Sequence, residues 1–239
     1  MLPDQARGQA TLLTIGRIII VPTDDSKESL IARIIDQLVT HHLAQETRFH
    51  AETLLTEIGA VAGFAVQMAL RKGVIEPQGL DPSGILVEAG SKRGEVFYFG
   101  DALNAFLFEQ MDKPPYSIWS YIAGIVPNPD ADTLPDIVGI VRHAARTVGT
   151  REFGNPPLPA AHRPHRPPRR ALNQNWHEAY RALLDAGRPP MDWPFDLALA
   201  AQRLMLMNRD VLPLKLSATI VMEAAVRMAK VDPHSVPGV

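Results

Sequence analysis

Apolar positions along the chain repeat mainly at the spacing of an α-helix. From Asp25 to Val39, leucine, isoleucine and valine recur every three or four residues, with charged and polar side chains between them. Further segments with helical spacing are predicted at about 49–72, 101–111, 116–125, 135–148, 175–187, 194–208 and 213–230. The pattern therefore predicts a mainly α-helical protein.

The segment from Phe49 to Lys72 is apolar on nearly every side, which predicts a central helix that other helices surround. Gly73 follows two basic residues and is predicted to end this helix. Because Gly59 and Gly63 remove side-chain bulk at an interval of four, we expect a second helix backbone to approach closely there. The most apolar stretch, 58–70, is shorter than the roughly 20 residues of a bilayer crossing, so the sequence predicts a core helix and no membrane contact.

Between these helices the pattern changes to that of β-strands. Residues 85–89 and 95–99 flank a turn that ends at Gly94, which predicts one β-hairpin with Gly94 at positive φ. An isolated hairpin is marginally stable in water, so it needs a third strand such as residues 15–21, a helix beneath it, or a copy of itself in another subunit. The predicted fold is a helical, bundle-like body with one hairpin or a small three-stranded antiparallel sheet, α+β at most.

Three parts are expected along the chain. Residues 1–149 predict a helix–hairpin–helix body, residues 150–174 a proline-rich basic crossover loop, and residues 175–239 a helical C-terminal part that packs with the body or forms a second lobe. Prolines in the loop favour extended polyproline II backbone. Long connections without regular structure are usually functional segments or linkers.

Composition excludes several chemistries. The 239 residues include no cysteine, which excludes disulfides, thiolate metal sites and a cysteine nucleophile. No serine stands in a nucleophile elbow, and no glycine-rich phosphate loop occurs. We therefore expect no catalytic residues, no metal and no cofactor. Without a signal-peptide pattern, the sequence is expected to belong to a cytoplasmic protein.

Two histidines and a glutamate near the end of the first helix have the residue types of a metal site. His42, Glu46 and His50 are spaced by four. On one continuous helix His42 and His50 would lie about 12 Å apart along the axis, too far for both to reach one ion. The preferred interpretation is a solvated helix face or a helix break near Gln45.

The crossover loop carries the most unusual local composition. Candidate partner-binding residues are His162, Arg163, His165, Arg166, Arg169 and Arg170. They predict a strap that lies along the protein's own acidic face, an acidic protein partner, or a phosphate or other anionic surface. Nucleic acid is not expected, because the stretch has no aromatic residue to stack on bases and the formal net charge is −2.

Aromatic residues concentrate between positions 97 and 121. The group comprises Phe97, Tyr98, Phe99, Phe106, Phe108, Tyr116, Trp119 and Tyr121. Such a cluster is typical of ordinary core packing, and alternatively of a small-molecule pocket. The candidate pocket residues are Tyr98, Asp101, Asn104, Trp119 and Tyr121.

These patterns lead to two functional hypotheses. The first is a non-enzymatic protein-interaction or scaffold protein that acts as a homodimer, because no catalytic constellation is found and a hairpin edge is open to a second subunit. The alternative is a small-molecule-binding protein or enzyme with an aromatic-lined pocket where the hairpin meets the following helix.

Overall fold

The computed structural model describes residues 25–46, 48–108, 117–126 and 133–239. Its helices are α1 (Asp25–Gln45), α2 (Ala51–Leu70), α3 (Glu76–Gln78), α4 (Asp101–Phe108), α5 (Ile118–Ala123), α6 (Ile137–Thr147), α7 (Pro168–Asp185), α8 (Trp193–Met207) and α9 (Leu214–Met228). Its strands are β1 (Val87–Gly90) and β2 (Val96–Phe99). The predicted mainly α fold with one hairpin is confirmed.

Helix α2 is the centre of the fold. It is buried along nearly its whole length, and it packs against α7, α8 and α9. Chain segments on both sides of the crossover loop therefore share one apolar core. The continuous helical run Ala51–Gln78 is long and apolar enough to cross a membrane, but its apolar window is wholly buried inside the protein.

The predicted end of α2 at Gly73 is wrong. The helical run continues through a π-helical turn, Arg71–Ile75, and α3, and it ends at Gly79, which has a φ of 61°. A Cβ at Gly73 would lie 2.8 Å from the sulfur of Met191, a flexible side chain that would have to shift. A left-handed stop is needed six residues later, where Gly79 adopts a conformation that side chains disfavour.

The close approach expected at Gly59 and Gly63 is confirmed. A Cβ on Gly59 would lie 2.6 Å from the carbonyl oxygen of Val221 in α9. A Cβ on Gly63 would overlap the backbone of Ala225, one turn further along α9. The two helices thus touch backbone to backbone, which only glycine permits at these positions.

The hairpin pairs β1 with β2 in an antiparallel register that places Val87 opposite Phe99 and Gly90 opposite Val96. Gly94 in its turn has a φ of 80°, as predicted. Beyond β2 the chain adds a single bridge between Phe97 and Val231, which ties the hairpin to the end of α9. The third strand considered at residues 15–21 lies outside the described residues.

Helix α7 begins inside the predicted loop. The sequence predicts a loop that reaches residue 174, but the helix starts at Pro168. Proline lacks an N–H that the first helical position does not need, so it is well suited to that position. The expected helix break near Gln45 is confirmed, since α1 ends there and α2 begins at Ala51.

Candidate functional site

The end of α1, the start of α2 and the basic segment, residues 162–170, meet at one place. His42 lies in the last turn of α1, and His50 caps α2 by accepting the Thr53 N–H at 3.2 Å. The helix break folds His50 back, so its backbone N–H donates to His42 Nε2 at 3.1 Å. Within the described part of the chain, no group of three potential ligands is arranged to hold a metal ion.

Arg166 is the residue of the basic segment that enters the protein. Its Nε and one terminal nitrogen donate to Glu57 Oε1 at 2.9 and 2.5 Å. Its other terminal nitrogen donates to Gln45 Oε1 at 2.9 Å and lies 3.3 Å from Glu46 Oε1. Only 4% of Arg166 and 2% of Glu57 is exposed, so this ion pair is withdrawn from water. We call His42, Glu46, Glu57 and Arg166 the clasp.

The geometry of the clasp keeps His42 neutral. Both ring nitrogens of His42 face N–H donors: the His50 N–H donates to Nε2 at 3.1 Å, and Nδ1 lies 3.1 Å from a terminal nitrogen of Arg166, which can only donate. Protonation of Nε2 would break its hydrogen bond. Burial, followed by the nearby Arg166 charge, holds the pKa of His42 below its ordinary value.

Glu57 has the opposite shift. Burial raises the pKa of its carboxyl to about 7, even though the Arg166 charge and hydrogen bonds act in the other direction. Glu46 also raises it, as a second carboxylate nearby. The clasp therefore exchanges a proton near neutral pH at a carboxyl group that is shielded from solvent.

Two histidines of the basic segment form an outer layer around the clasp. His162 Nδ1 lies 2.9 Å from Glu52 Oε1, and His165 Nδ1 lies 3.0 Å from Glu46 Oε2. The hydrogen bond from His165 lowers the pKa of Glu46. The His165 ring stacks on His50 with centroids 3.8 Å apart. These contacts hold the segment on both sides of Arg166.

The remaining arginines of the basic segment divide between contact and exposure. Arg169 donates to the Ser235 carbonyl at 2.8 Å. Arg163 and Arg170 are exposed, and they form no ion pair with the residues that the structure describes. The predicted partner-binding residues thus lie partly on the protein's own carboxylates and partly toward solvent.

The residues predicted to line an aromatic pocket lie against different elements. Tyr98 packs under Arg71, with 4.6 Å from guanidinium to ring centre, and its hydroxyl donates to Glu88 at 3.4 Å. Tyr121 stacks on Phe195 of α8 at 6.2 Å.

The other predicted pocket residues share the neighbourhood of α4 and α5. Asp101 is exposed at the start of α4, and Asn104 is half-buried one turn later. Trp119, in α5, packs against the main core, as Tyr98 and Tyr121 do. Tyr116 lies outside the described residues.

Sequence reasoning found His42 and Arg166 but missed Glu57, Glu52 and Gln45. Glu57 is the only charged residue between Glu52 and Arg71, in a stretch that is otherwise mostly apolar, and a lone carboxylate there is a signal of a buried partner. Glu52 and Gln45 carry no comparable signal, since charged and polar residues are common at helix ends.

A second buried charged group lies on α9. Arg227 is fully buried and pairs with Glu223, and it lies 2.8 Å from His143 Nδ1 in α6. Burial, together with the nearby Arg227 charge, lowers the pKa of Lys230 to about 8. This group joins α6 to α9 inside the core and lies on a different element from the basic segment.

Comparison with known protein families, curated proteins and solved structures finds no match. The clasp brings an arginine, a neutral histidine and a proton-exchanging carboxyl together beneath a segment whose outer side carries exposed cations. That arrangement can fix the segment in one conformation and present its charges to another molecule.

Proposed function

We propose that the protein is a non-enzymatic protein-interaction protein that presents its basic segment to an acidic protein partner. The observation that carries the proposal is the division of the segment's arginines. Arg166 is held inside by Glu57, whereas Arg163 and Arg170 point their charges to solvent. Anchoring and presentation are thus performed by different side chains of one short segment.

The basic segment already has a defined conformation before a partner binds, which supports this proposal. Binding a flexible segment costs conformational entropy, about 1–2 kcal/mol for each residue whose backbone becomes fixed. The basic segment avoids much of this cost because Pro164 and Pro167 restrict its backbone and Arg166 ties it to α2. A partner would meet cations that already have a defined spacing.

Charge supports an acidic partner. No acidic residue occurs between Leu158 and His177, so the exposed arginines lie in a locally positive stretch of a protein whose formal net charge is −2. Complementary charge increases the rate of association and selects against basic partners. Arginine also binds carboxylates in a bidentate manner, which favours glutamate-rich or aspartate-rich surfaces.

Self-association through β1 is the second part of the proposal. Tyr98 donates its N–H to the Lys230 carbonyl at 2.8 Å, away from β1, so its cross-strand partner Glu88 directs its own N–H and carbonyl to the outer edge. In the part of the chain that the structure describes, no strand pairs with that edge. Val87 beside it is 62% exposed. An antiparallel pairing of β1 with β1 of a second copy would satisfy these groups.

The acidic-partner proposal is tested by measuring binding of a labelled oligoglutamate peptide by fluorescence anisotropy. We expect Arg163→Glu/Arg170→Glu to weaken binding by about tenfold or more, since two charge-assisted contacts are reversed. The matched control, Arg142→Glu/Arg146→Glu, makes the same charge change at exposed positions of α6. Equal weakening by both variants, or equal binding of an oligothymidylate of the same charge, would contradict the proposal.

The homodimer is tested by native mass spectrometry of the full chain. We expect twice the chain mass for the wild type and for Glu88→Ala, which keeps the backbone donor. Glu88→Pro removes the outward N–H without touching the bonds to β2, so we expect it to be monomeric. A monomeric wild-type protein, or a dimer that Glu88→Pro leaves intact, would exclude pairing through β1.

A further inference from the structure

Helices α1 and α7 enclose an open cavity of about 440 Å³ on the surface of the protein. Two alanines on its walls, Ala44 of α1 and Ala179 of α7, leave the space that larger side chains would fill. Its volume is within the range of small-molecule sites, which is about 300–1,000 Å³. None of the described residues that line the cavity belongs to the aromatic cluster or to the basic segment.

Hydrogen-bond acceptors without donors line this cavity. Asn175 is only 5% exposed, and its Nδ2 donates to the Ala171 carbonyl at 2.9 Å. Its Oδ1 accepts no hydrogen bond from the described residues, although the side chain lies on the cavity wall. The Asn175 oxygen keeps some accessible surface, so a ligand in the cavity can reach it. The Oε1 atom of Gln37, on the opposite wall, is fully buried and has no donor in the described part of the chain.

The charged side chains that line the cavity, among the described residues, are negative. Asp36 from α1 and Glu178 from α7 lie on its walls, and no lysine or arginine does among the described lining residues. His41 lies there as well, but burial and the Arg166 charge lower its pKa, so it adds no positive charge at neutral pH. A ligand that fits must supply positive charge and N–H donors.

We propose that this cavity binds a small aliphatic amine or guanidine. Its cationic group would lie between Asp36 and Glu178 and donate to the amide oxygen of Asn175. Its hydrocarbon part would pack on the apolar side chains of the floor, among them Ile34 and Leu38. Ammonium and guanidinium groups donate hydrogen bonds and accept none, which suits a cavity wall whose unpaired groups are acceptors. This inference is independent of the interaction function proposed above.

The ligand class is tested by isothermal titration calorimetry of the full chain with agmatine, cadaverine and spermidine. Pentanediol and glutarate are the comparison probes, because they have a similar length but lack the positive charge. We expect at least one amine to bind and neither comparison probe to do so. Failure of all three amines to bind at millimolar concentration, or equal binding of pentanediol, would overturn the proposal.

The site is tested with the double variant Asp36→Asn/Glu178→Gln. We expect its affinity for the bound amine to fall by about tenfold or more, the size of one or two lost charged hydrogen bonds. Asp185→Asn/Asp210→Asn is the matched control, since these carboxylates are 61% and 93% exposed and lie outside the cavity. Equal weakening in both variants would mean diffuse charge attraction and would overturn the site.

A third variant tests the space itself without any change of charge. Ala44→Leu places a larger side chain at an exposed position on the cavity wall, where folding does not depend on it. We expect it to reduce amine binding while the unfolding temperature stays unchanged. Unchanged binding in this variant would place the amine elsewhere.

Discussion

Helix α2 has two sides that depend on different physics. Around Gly59 and Gly63 it touches the backbone of α9, with no charged group between them. Around Thr53 and Glu57 it holds the basic segment through hydrogen bonds and buried charges. The first contact depends on shape and should be indifferent to pH, whereas the second depends on where one proton lies. The same helix thus makes one contact that does not depend on pH, with α9, and one that does, with the basic segment.

A substitution that disrupts the glycine contact between α2 and α9 should lower the free energy of unfolding most. Gly63→Ala places a Cβ inside the backbone of Ala225, so one helix must move. We expect the free energy of unfolding to fall by about 4 kcal/mol, well beyond the gain of about 1 kcal/mol in helix propensity. Urea denaturation measures it at two pH values, between which the loss should not change. Gly84→Ala is the control, since a Cβ there meets nothing within 4 Å.

Removing the arginine of the clasp should have the next largest effect. Arg166→Leu leaves Glu57 buried without its partner, which we expect to cost about 3 kcal/mol at about pH 8. The cost should be smaller at about pH 6, because Glu57 then binds a proton and loses its charge. Arg163→Leu, at an exposed neighbouring position, should change stability by less than about 0.5 kcal/mol. Equal effects of the two substitutions would mean that the clasp does not hold the segment.

Protonation of Glu57 should change the free energy of unfolding by a smaller amount, which depends on pH. Its pKa is raised to about 7 in the folded protein, so its contribution to stability is largest at acid pH and is lost as the pH rises through 7. Relative to Glu57→Gln, the wild type should therefore lose about 2 kcal/mol between about pH 5.5 and about pH 8. Parallel denaturation curves of the two proteins across this range would contradict the account. His42 titrates in both proteins, so its contribution largely cancels in the comparison.

The outer layer of histidines should contribute least to the free energy of unfolding. His165 is largely exposed, so its hydrogen bond to Glu46 is screened by water. His165→Asn should lower stability by about 0.5 kcal/mol or less, and the difference should disappear at high salt. It should also return the pKa of Glu46 toward its ordinary value, which an NMR titration of that carboxyl would detect. A loss as large as that of Arg166→Leu would mean that the outer layer, not the clasp, holds the segment.

Local patterns predicted the helices well, because periodic apolar residues and capping residues act within a few positions. They failed at Gly73, where the chain stays helical through Gln78 and packs against Met191, far along the chain. The clasp could not be predicted from the sequence for the same reason. His42, His50 and the basic segment were each noticed, but only the fold brings them to Glu57, more than 100 residues from Arg166. Pairing between distant charges leaves no periodic pattern in a sequence.

A double-mutant cycle between Arg166 and Glu57 tests most directly whether the clasp holds the basic segment. The unfolding free energies of the wild type, Arg166→Leu, Glu57→Leu and the double variant would be measured at about pH 8 and again at about pH 5.5. We predict a coupling of about 2 kcal/mol at the higher pH, which falls as Glu57 is protonated. Coupling below about 0.5 kcal/mol at the higher pH would contradict the account, since the two substitutions would then act independently.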